Sequence, residues 1–332
     1  MTVNYKIFFN FAAMKYYLPL IISVLFMTSC SDAGQYRRSE GAVWRTYYHI
    51  TYRSSRNLDD SIMAEMQRVN MSLSMFEPTS RLSRINNRIT DSTDWRIDSV
   101  YTCAARVYKL SNGRFDPTVG PLVELWGFGN SDRSGIPSAE AVDSAMLSVG
   151  FSKITLSKSR ITAPPGFKLD FGAIAKGFGV DCVADVLRRN GCMDYLVEIG
   201  GEIAASGVNP AAEPWKIGIE SPREGVNGEI ITLTDQCVAT SGNYHNYRTA
   251  ADGSRYGHTI DPLTGYPRDT ETLSVTVIAP SCMEADALAT ACMTMELNEI
   301  ANLHSKLTGV GLIVITASGI TEFPVKCVEP LK

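Results

Sequence analysis

The sequence predicts an α+β fold of mixed, largely antiparallel sheets with packed helices, arranged as two intimate subdomains. Three observations carry this expectation. Several strand-like runs follow one another across short turns with no helix between them, which favours antiparallel pairing over a doubly wound parallel sheet. Amphipathic helical stretches flank those runs at apolar spacings of three and four residues. The chain has 332 residues, 45% hydrophobic and 20% charged, enough for one large domain or two that share a core. A formal net charge of −4 argues against a nucleic-acid partner held by phosphate neutralisation.

The elements are expected in this order. Lys15 precedes the apolar run Tyr16–Ser29, and no acidic residue occurs before Asp32. A basic start, a short apolar stretch and a small-residue exit describe a secretory signal, 1–29, rather than a membrane-spanning helix. Met14-Lys15 offers a second possible start. The exit Met27-Thr28-Ser29-Cys30 resembles a bacterial lipobox, with Cys30 as the lipidated residue. Residues 30–42 then read as a polar tether, and 43–330 as the folded body. Helices are expected over Leu58–Met75, Asp98–Ser111, Ser138–Ser148, Ile174–Asn190, Cys282–Leu297 and Asn298–Leu307. A short hairpin is expected from Lys153–Ser157 and Arg160–Ala163. Strands are expected at Tyr195–Ile199, Glu202–Ala205, Trp215–Glu220, Gly228–Thr234, Leu273–Ala279 and Val310–Thr316. Seven cysteines follow Cys30 without any C-x-x-C pair, which reads as buried small apolar residues rather than a zinc site.

Three segments carry chemistry. In Lys168–Gly177, a strand end bearing Asp170 turns through glycine into a helix that places Lys176 near its start. Free N–H groups at a helix N-terminus together with a lysine suit a phosphate; a plain strand-to-helix turn explains the segment equally well. On Ala285–Thr290, Asp286 and Thr290 are four apart and share one helix face. A carboxylate and a hydroxyl pointing the same way suit a hard cation such as Mg²⁺, whereas a capping Asp and a back-bonded Thr are the alternative. The alanines around them predict burial, and a buried carboxylate needs a partner. In Tyr256–Gly265, His258 precedes an Asp261-Pro262 turn and can serve as a base or as a structural hydrogen-bonder. Two loop-like stretches rich in small residues, Asn112–Pro121 and Val238–Tyr244, suit ligand-lining segments or simple turns. Phosphate-loop, H-E-x-x-H and G-x-S-x-G motifs are absent, and Gly127-Phe128-Gly129 reads as a turn.

Taken in order, these segments resemble the ApbE family of flavin transferases. The resemblance runs through Met75–Asn86, Gly113–Pro121, Leu169–Gly177, Leu196–Glu202, Thr240–Tyr244, Tyr256–Pro267 and Ala285–Thr290. It implies an ApbE-like fold and an enzyme that cleaves FAD at its pyrophosphate with Mg²⁺. FMN is then joined through its phosphate to a Thr or Ser hydroxyl of an acceptor protein, and AMP leaves. The family's metal ligands fall on the carbonyl of Ala173 and the side chains of Asp286 and Thr290. Its flavin and phosphate contacts fall on Phe76, Arg114, Phe115, Asp116, Asp170, Lys176 and Ile260, and its acceptor-activating base on His258. This chain has Trp44-Arg45-Thr46 for the family's Met-Gly-Thr, Tyr256-Gly257-His258 for Tyr-Ser-His and Ser241-Gly242-Asn243 for Ser-Gly-Asp. The implied acceptor is a flavoprotein subunit of a membrane redox complex. The implied location is the bacterial cell envelope, extracytoplasmic and lipid-anchored, on the periplasmic side. An FAD pyrophosphatase using water as acceptor, or a non-catalytic FAD-binding lipoprotein, would share much of this pattern.

Overall fold

A computed structural model describes residues 34–129, 135–222, 228–243, 247–249, 255–268 and 271–325. The expected signal, Cys30, Tyr244 and Cys327 lie outside the described residues. The fold is α+β, as the turn-linked strands predict. Eight strands form one wholly antiparallel sheet in the order β1 (Gln35–Val43), β2 (Thr46–Ser54), β5 (Tyr195–Ile199), β6 (Glu202–Ser206), β9 (Gln236–Gly242), β12 (Thr272–Ala279), β13 (Gly311–Thr316) and β14 (Ile320–Phe323). Three two-stranded ribbons accompany it: β3 (Thr155–Ser157) with β4 (Arg160–Thr162), β7 (Trp215–Ile219) with β8 (Glu229–Leu233), and β10 (Tyr247–Thr249) with β11 (Arg255–Gly257).

The helices are α1 (Asp59–Leu73), α2 (Arg81–Asn86), α3 (Trp95–Leu110), α4 (Gly120–Leu125), α5 (Ala139–Met146), α6 (Ala175–Arg189), α7 (Cys282–Met293) and α8 (Leu297–Ser305). Helices α6 and α7 lie on one face of the sheet, and α1 and α3 pack onto them. The main core fills this layer with Val69, Ile97, Val107, Phe171, Leu288, Val275 and Val314, among others. The β7–β8 ribbon covers part of the other face, where Trp215, Ile217 and Leu233 meet Ala205 and Val238, and Ile219 meets Ile313 and Ile315. That second cover explains why every residue of β13 is buried. A satellite cluster of Leu122, Trp126, Val142, Val149 and Ile260 sits under the loops around α4 and α5.

The expected tether is corrected by the structure, because Gln35–Val43 is the edge strand of the main sheet. An edge strand that faces solvent on both sides has no apolar alternation to betray it, and this one is mostly exposed. The turn that pairs it with β2 uses Trp44 and Arg45, both left-handed at φ 48° and 65°, instead of the usual Asn-Gly. Helix α3 begins earlier than apolar spacing predicts, because Asp94 accepts from the N–H groups of Arg96 and Ile97 at 3.1 and 3.0 Å. The expected helix to Leu297 stops at Met293, since Glu296 and Glu299 form a capping box that starts α8. Val238–Gly242, read as a loop, lies in the central strand β9. Six cysteines, at 103, 182, 192, 237, 282 and 292, are buried free thiols as expected, and burial pushes Cys103 up to about 11.

Helices α6 and α7 pair antiparallel through their first turns. No side chain of α6 caps its own N-terminus; instead Asp286 of α7 accepts the Gly177 N–H at 3.0 Å. In return, Asp181 of α6 accepts from the Cys282 and Met283 N–H groups, each at 2.9 Å, and from the Ser281 hydroxyl at 2.8 Å. The approach requires glycine at 177, where a Cβ would lie 2.3 Å from the Cys282 carbonyl oxygen and 2.8 Å from the Asp286 Cβ. A Gly→Ala change in a helix ordinarily stabilises by about 0.5–1 kcal/mol. Gly177→Ala is expected to do the reverse, costing about 1–3 kcal/mol as the helices are forced apart. Urea unfolding of the two proteins reads the sign directly.

Candidate active site

A cavity of about 340 Å³ opens at the end of the helix pair and collects most of the residues singled out above. Its lining includes Arg114, Phe115, Asp116, Asp170, Ala173, Lys176, His258, Ile260, Asp286 and Thr290. Phe76 is placed elsewhere: it is 53% exposed and lines a neighbouring slot of about 270 Å³ with Trp44, Arg45 and Phe171. The two chambers share Gly172 and Lys176. The Arg45 guanidinium lies 5.0 Å from the centre of the Phe76 ring, giving that slot a cation–aromatic wall.

The floor of the main cavity is charged. Asp286 is 4% exposed, and its Oδ2 is taken by Gly177 while Oδ1 has no hydrogen-bond partner among the described residues. One turn on, the Thr290 hydroxyl is 3.2 Å from Ser241 Oγ of β9. Lys176, in the first turn of α6, is ion-paired with Glu202. Glu202 arrives through the two-residue turn Gly200-Gly201, whose φ values of 61° and 95° suit a hairpin of this twist only with glycine. Its side chain is 3% exposed, and its Oε2 is buried without a partner. Burial and the nearby Asp286 carboxylate push Glu202 up to about 8, against the pull of Lys176. Burial alone would lower Lys176, but Glu202 and Asp286 outweigh it and hold the ammonium above its ordinary value. Asp286 is raised by burial, with Lys176 and the Gly177 N–H opposing.

This donor set fits a hard cation. Two carboxylates and two hydroxyls are all oxygen donors, and the Ala173 backbone lines the same floor. One ammonium faces two carboxyl groups whose raised values favour holding a proton, and a divalent ion could take that proton's place; Glu202 Oε2 is the orphaned atom. Among the described residues, no three His, Cys, Asp or Glu side chains form a metal-binding group, so hydroxyl and carbonyl oxygens must complete any coordination shell.

Other expected residues act through the scaffold. Asp116 spends both carboxylate oxygens on the chain, accepting from the Thr118 N–H and hydroxyl at 2.7 and 2.5 Å and from the Phe151 N–H at 3.0 Å. Asp170 accepts the Gly172 N–H at 2.7 Å, shaping the turn into α6, while burial raises its carboxyl. Arg114 donates to Asp261 at 2.6 Å and to Glu299 at 2.9 Å. Arg268 joins the same cluster, 3.5 Å from Asp261 and 2.8 Å from Glu296. This network ties the loop that carries His258 to the start of α8. The His258 ring stands on the cavity wall, 6.2 Å between centres from Phe128. Phe115 and Ile260 are buried apolar wall.

Sequence reasoning missed Glu202, Ser241 and Phe128 as site residues. The first two lie in quoted motifs, but a Glu after Gly-Gly and a Ser in a small-residue run carry no signal of burial.

A sequence model of the ApbE family matches residues 44–314. A Vibrio cholerae protein named FAD:protein FMN transferase is 36% identical over 96% of this chain and 99% of its own length. A Haemophilus influenzae protein of the same name is 36% identical over 92% of this chain and 95% of its own. The solved flavin transferase ApbE from Vibrio cholerae superposes with a TM-score of 0.79 at 35% identity, covering 88% of this chain and 97% of that one. The ApbE protein from Thermotoga maritima does so with a TM-score of 0.78 at 31% identity, covering 87% and 97%.

The raised Glu202 carboxyl sets a pH dependence. Its folded value near 8 exceeds its ordinary value of 4.5, so the folded state binds the proton more tightly than the unfolded chain. Stability from this group is therefore full below about 4.5 and lost as pH rises towards 8. Without divalent cations, the melting temperature is expected to fall over that range, and Glu202→Gln to flatten the fall. Parallel profiles for the two proteins would contradict this assignment.

Proposed function

The chain belongs to the ApbE family, and from that premise we propose that it transfers FMN from FAD to a Thr or Ser hydroxyl of an acceptor protein, with Mg²⁺, releasing AMP. The observation that carries this reading is the position of Lys176 at the junction of two chambers, beside the Asp286–Thr290 pair. A dinucleotide has two flat ring systems joined by a pyrophosphate. Two chambers meeting at a lysine and a helix N-terminus match that layout.

Each residue then has a task. Asp286, Thr290 and the Ala173 carbonyl hold the divalent ion. Bound Mg²⁺ polarises the phosphoryl oxygens and offsets their negative charge. Lys176 presents its ammonium to the pyrophosphate, and the α6 N-terminus adds its partial positive charge. Phe115 and Ile260 in one chamber, and Phe76 with Arg45 in the other, offer contact to the rings. Arg114 and Asp116 keep the loops in register, through Asp261 and through the Thr118 and Phe151 N–H groups. His258 takes the proton from the acceptor hydroxyl as that oxygen attacks the FMN phosphorus. The P–O bond of the pyrophosphate breaks, and AMP leaves with the electron pair.

In the same reading, residues 1–29 are an export signal and Cys30 carries the lipid. Because β1 begins at Gln35, only the four residues 31–34 separate lipid from sheet, a reach of at most about 18 Å. The enzyme works close to the bilayer on the extracytoplasmic side, where an acceptor subunit of a membrane redox complex would be found. Among the described residues, no helix is long and apolar enough to cross a membrane.

In-gel flavin fluorescence tests the transfer, using FAD, Mg²⁺ and an acceptor that carries a flavin-attachment Thr. Wild type is expected to label the acceptor and release AMP in equal amounts. Asp286→Asn, which keeps an oxygen for the Gly177 N–H, is expected to lose labelling by about 100-fold or more while melting like wild type. AMP release without labelling would mean hydrolysis, and full labelling by the variant would sink the metal assignment.

A further inference from the structure

We infer that Glu202 is a second carboxylate of the divalent-cation site, and that Lys176 stands in for the cation while the site is ion-free. The inference rests on the flavin-transfer reading above and assigns a residue that reading leaves without a role. Glu202 is brought to the cavity floor at the start of β6 by a glycine turn, and its side chain is almost fully buried. Burying a carboxylate is costly unless each oxygen is matched. Here Oε1 has Lys176, and Oε2 has nothing. Asp286, on the facing helix, uses one oxygen for Gly177, and its other oxygen has no hydrogen-bond partner among the described residues. The floor thus presents two half-satisfied carboxylates, one from β6 and one from α7, with a single ammonium between the elements that carry them.

A stability role for Glu202 fits this arrangement poorly, since a Lys–Glu pair that served only to hold the fold would not leave a buried oxygen orphaned. A cation of charge two, sharing Glu202 and Asp286, balances both carboxylates and leaves Lys176 as the one positive charge of the floor. It also frees the ammonium from Glu202 to turn towards the pyrophosphate entering at the chamber junction. Cation binding and phosphate binding are then coupled through one lysine: the ion displaces Lys176 from the carboxylate, and Lys176 finds its next partner on the substrate. Reciprocity requires that FAD in turn tighten the cation.

Mn²⁺, added alone without FAD, is the probe. Its dissociation constant by calorimetry and its bound-water count by electron paramagnetic resonance are read for wild type and variants. Glu202→Gln is expected to weaken Mn²⁺ by about tenfold or more and to add one bound water in place of the lost ligand. Lys176→Met is expected to bind Mn²⁺ more tightly than wild type, because the resident ammonium is gone. Should Glu202→Gln fail to fold, Glu202→Asp keeps the charge but shortens the reach, and weaker binding is again expected. Wild-type affinity and water count in the Glu202 variants, with Asp286→Asn losing the ion, would overturn this inference and leave the flavin-transfer reading standing. Wild-type Mn²⁺ binding by Asp286→Asn as well would overturn both.

Discussion

Two helix N-termini, each capped by a carboxylate from the other helix, form the constraint on which the rest of this structure depends. Asp286 satisfies a first-turn N–H of α6, and Asp181 satisfies two at α7. Each bond to an ionised acceptor contributes about 1.5–3 kcal/mol, and an uncapped, buried N–H would cost about as much. The exchange works only because residue 177 has no side chain, which lets the two backbones close to contact distance. The sheet beneath supplies the platform: strands β5 and β6 lie against α6, and β9 and β12 against α7.

From this contact the electrostatics of the cavity follow. Placing two N-termini together concentrates partial positive charge where the chain also buries Asp286 and Glu202. Negative side chains are thereby tolerated in a setting that otherwise pushes them towards their neutral forms, as the raised values of both show. The arrangement stops short of full compensation. One oxygen of Glu202 stays without a partner, and a fold selected for stability alone would gain by replacing such groups with apolar ones. The cation and phosphate site proposed above gives these groups a use. The His258 wall is built differently, from the loop network of Arg114, Asp261, Arg268 and the two capping glutamates of α8. The helix floor meets this loop wall at Thr294, just past α7, whose hydroxyl donates to the Arg114 carbonyl at 3.4 Å.

Much of the floor was legible in the sequence. The spacing of Asp286 and Thr290 and the alanines around them foretold burial on one helix face, where Asp286 is buried and Thr290 half-buried, and Lys176 stands near a helix start as expected. What stayed hidden depends on contacts across elements. Glu202 follows a glycine turn and looks like an exposed hairpin residue until β6 is set against α6. Asp116 and Arg114 look like ligand contacts, but their polar atoms are engaged by Thr118 and Phe151 and by Asp261 and Glu299. The first strand was illegible because an exposed edge has no alternation, and its turn dispenses with glycine.

In the proposed function, α6 and α7, joined by their exchanged carboxylates, hold a divalent cation against a pyrophosphate. Anomalous diffraction from crystals soaked with Mn²⁺ and FAD tests it most directly. A single strong peak is expected at ligand distance from Asp286, Thr290 and the Ala173 carbonyl, with the FAD phosphates on its far side and Lys176 turned towards them. A Mn²⁺ peak away from Asp286, or ordered FAD phosphates at this floor without any peak, would contradict it.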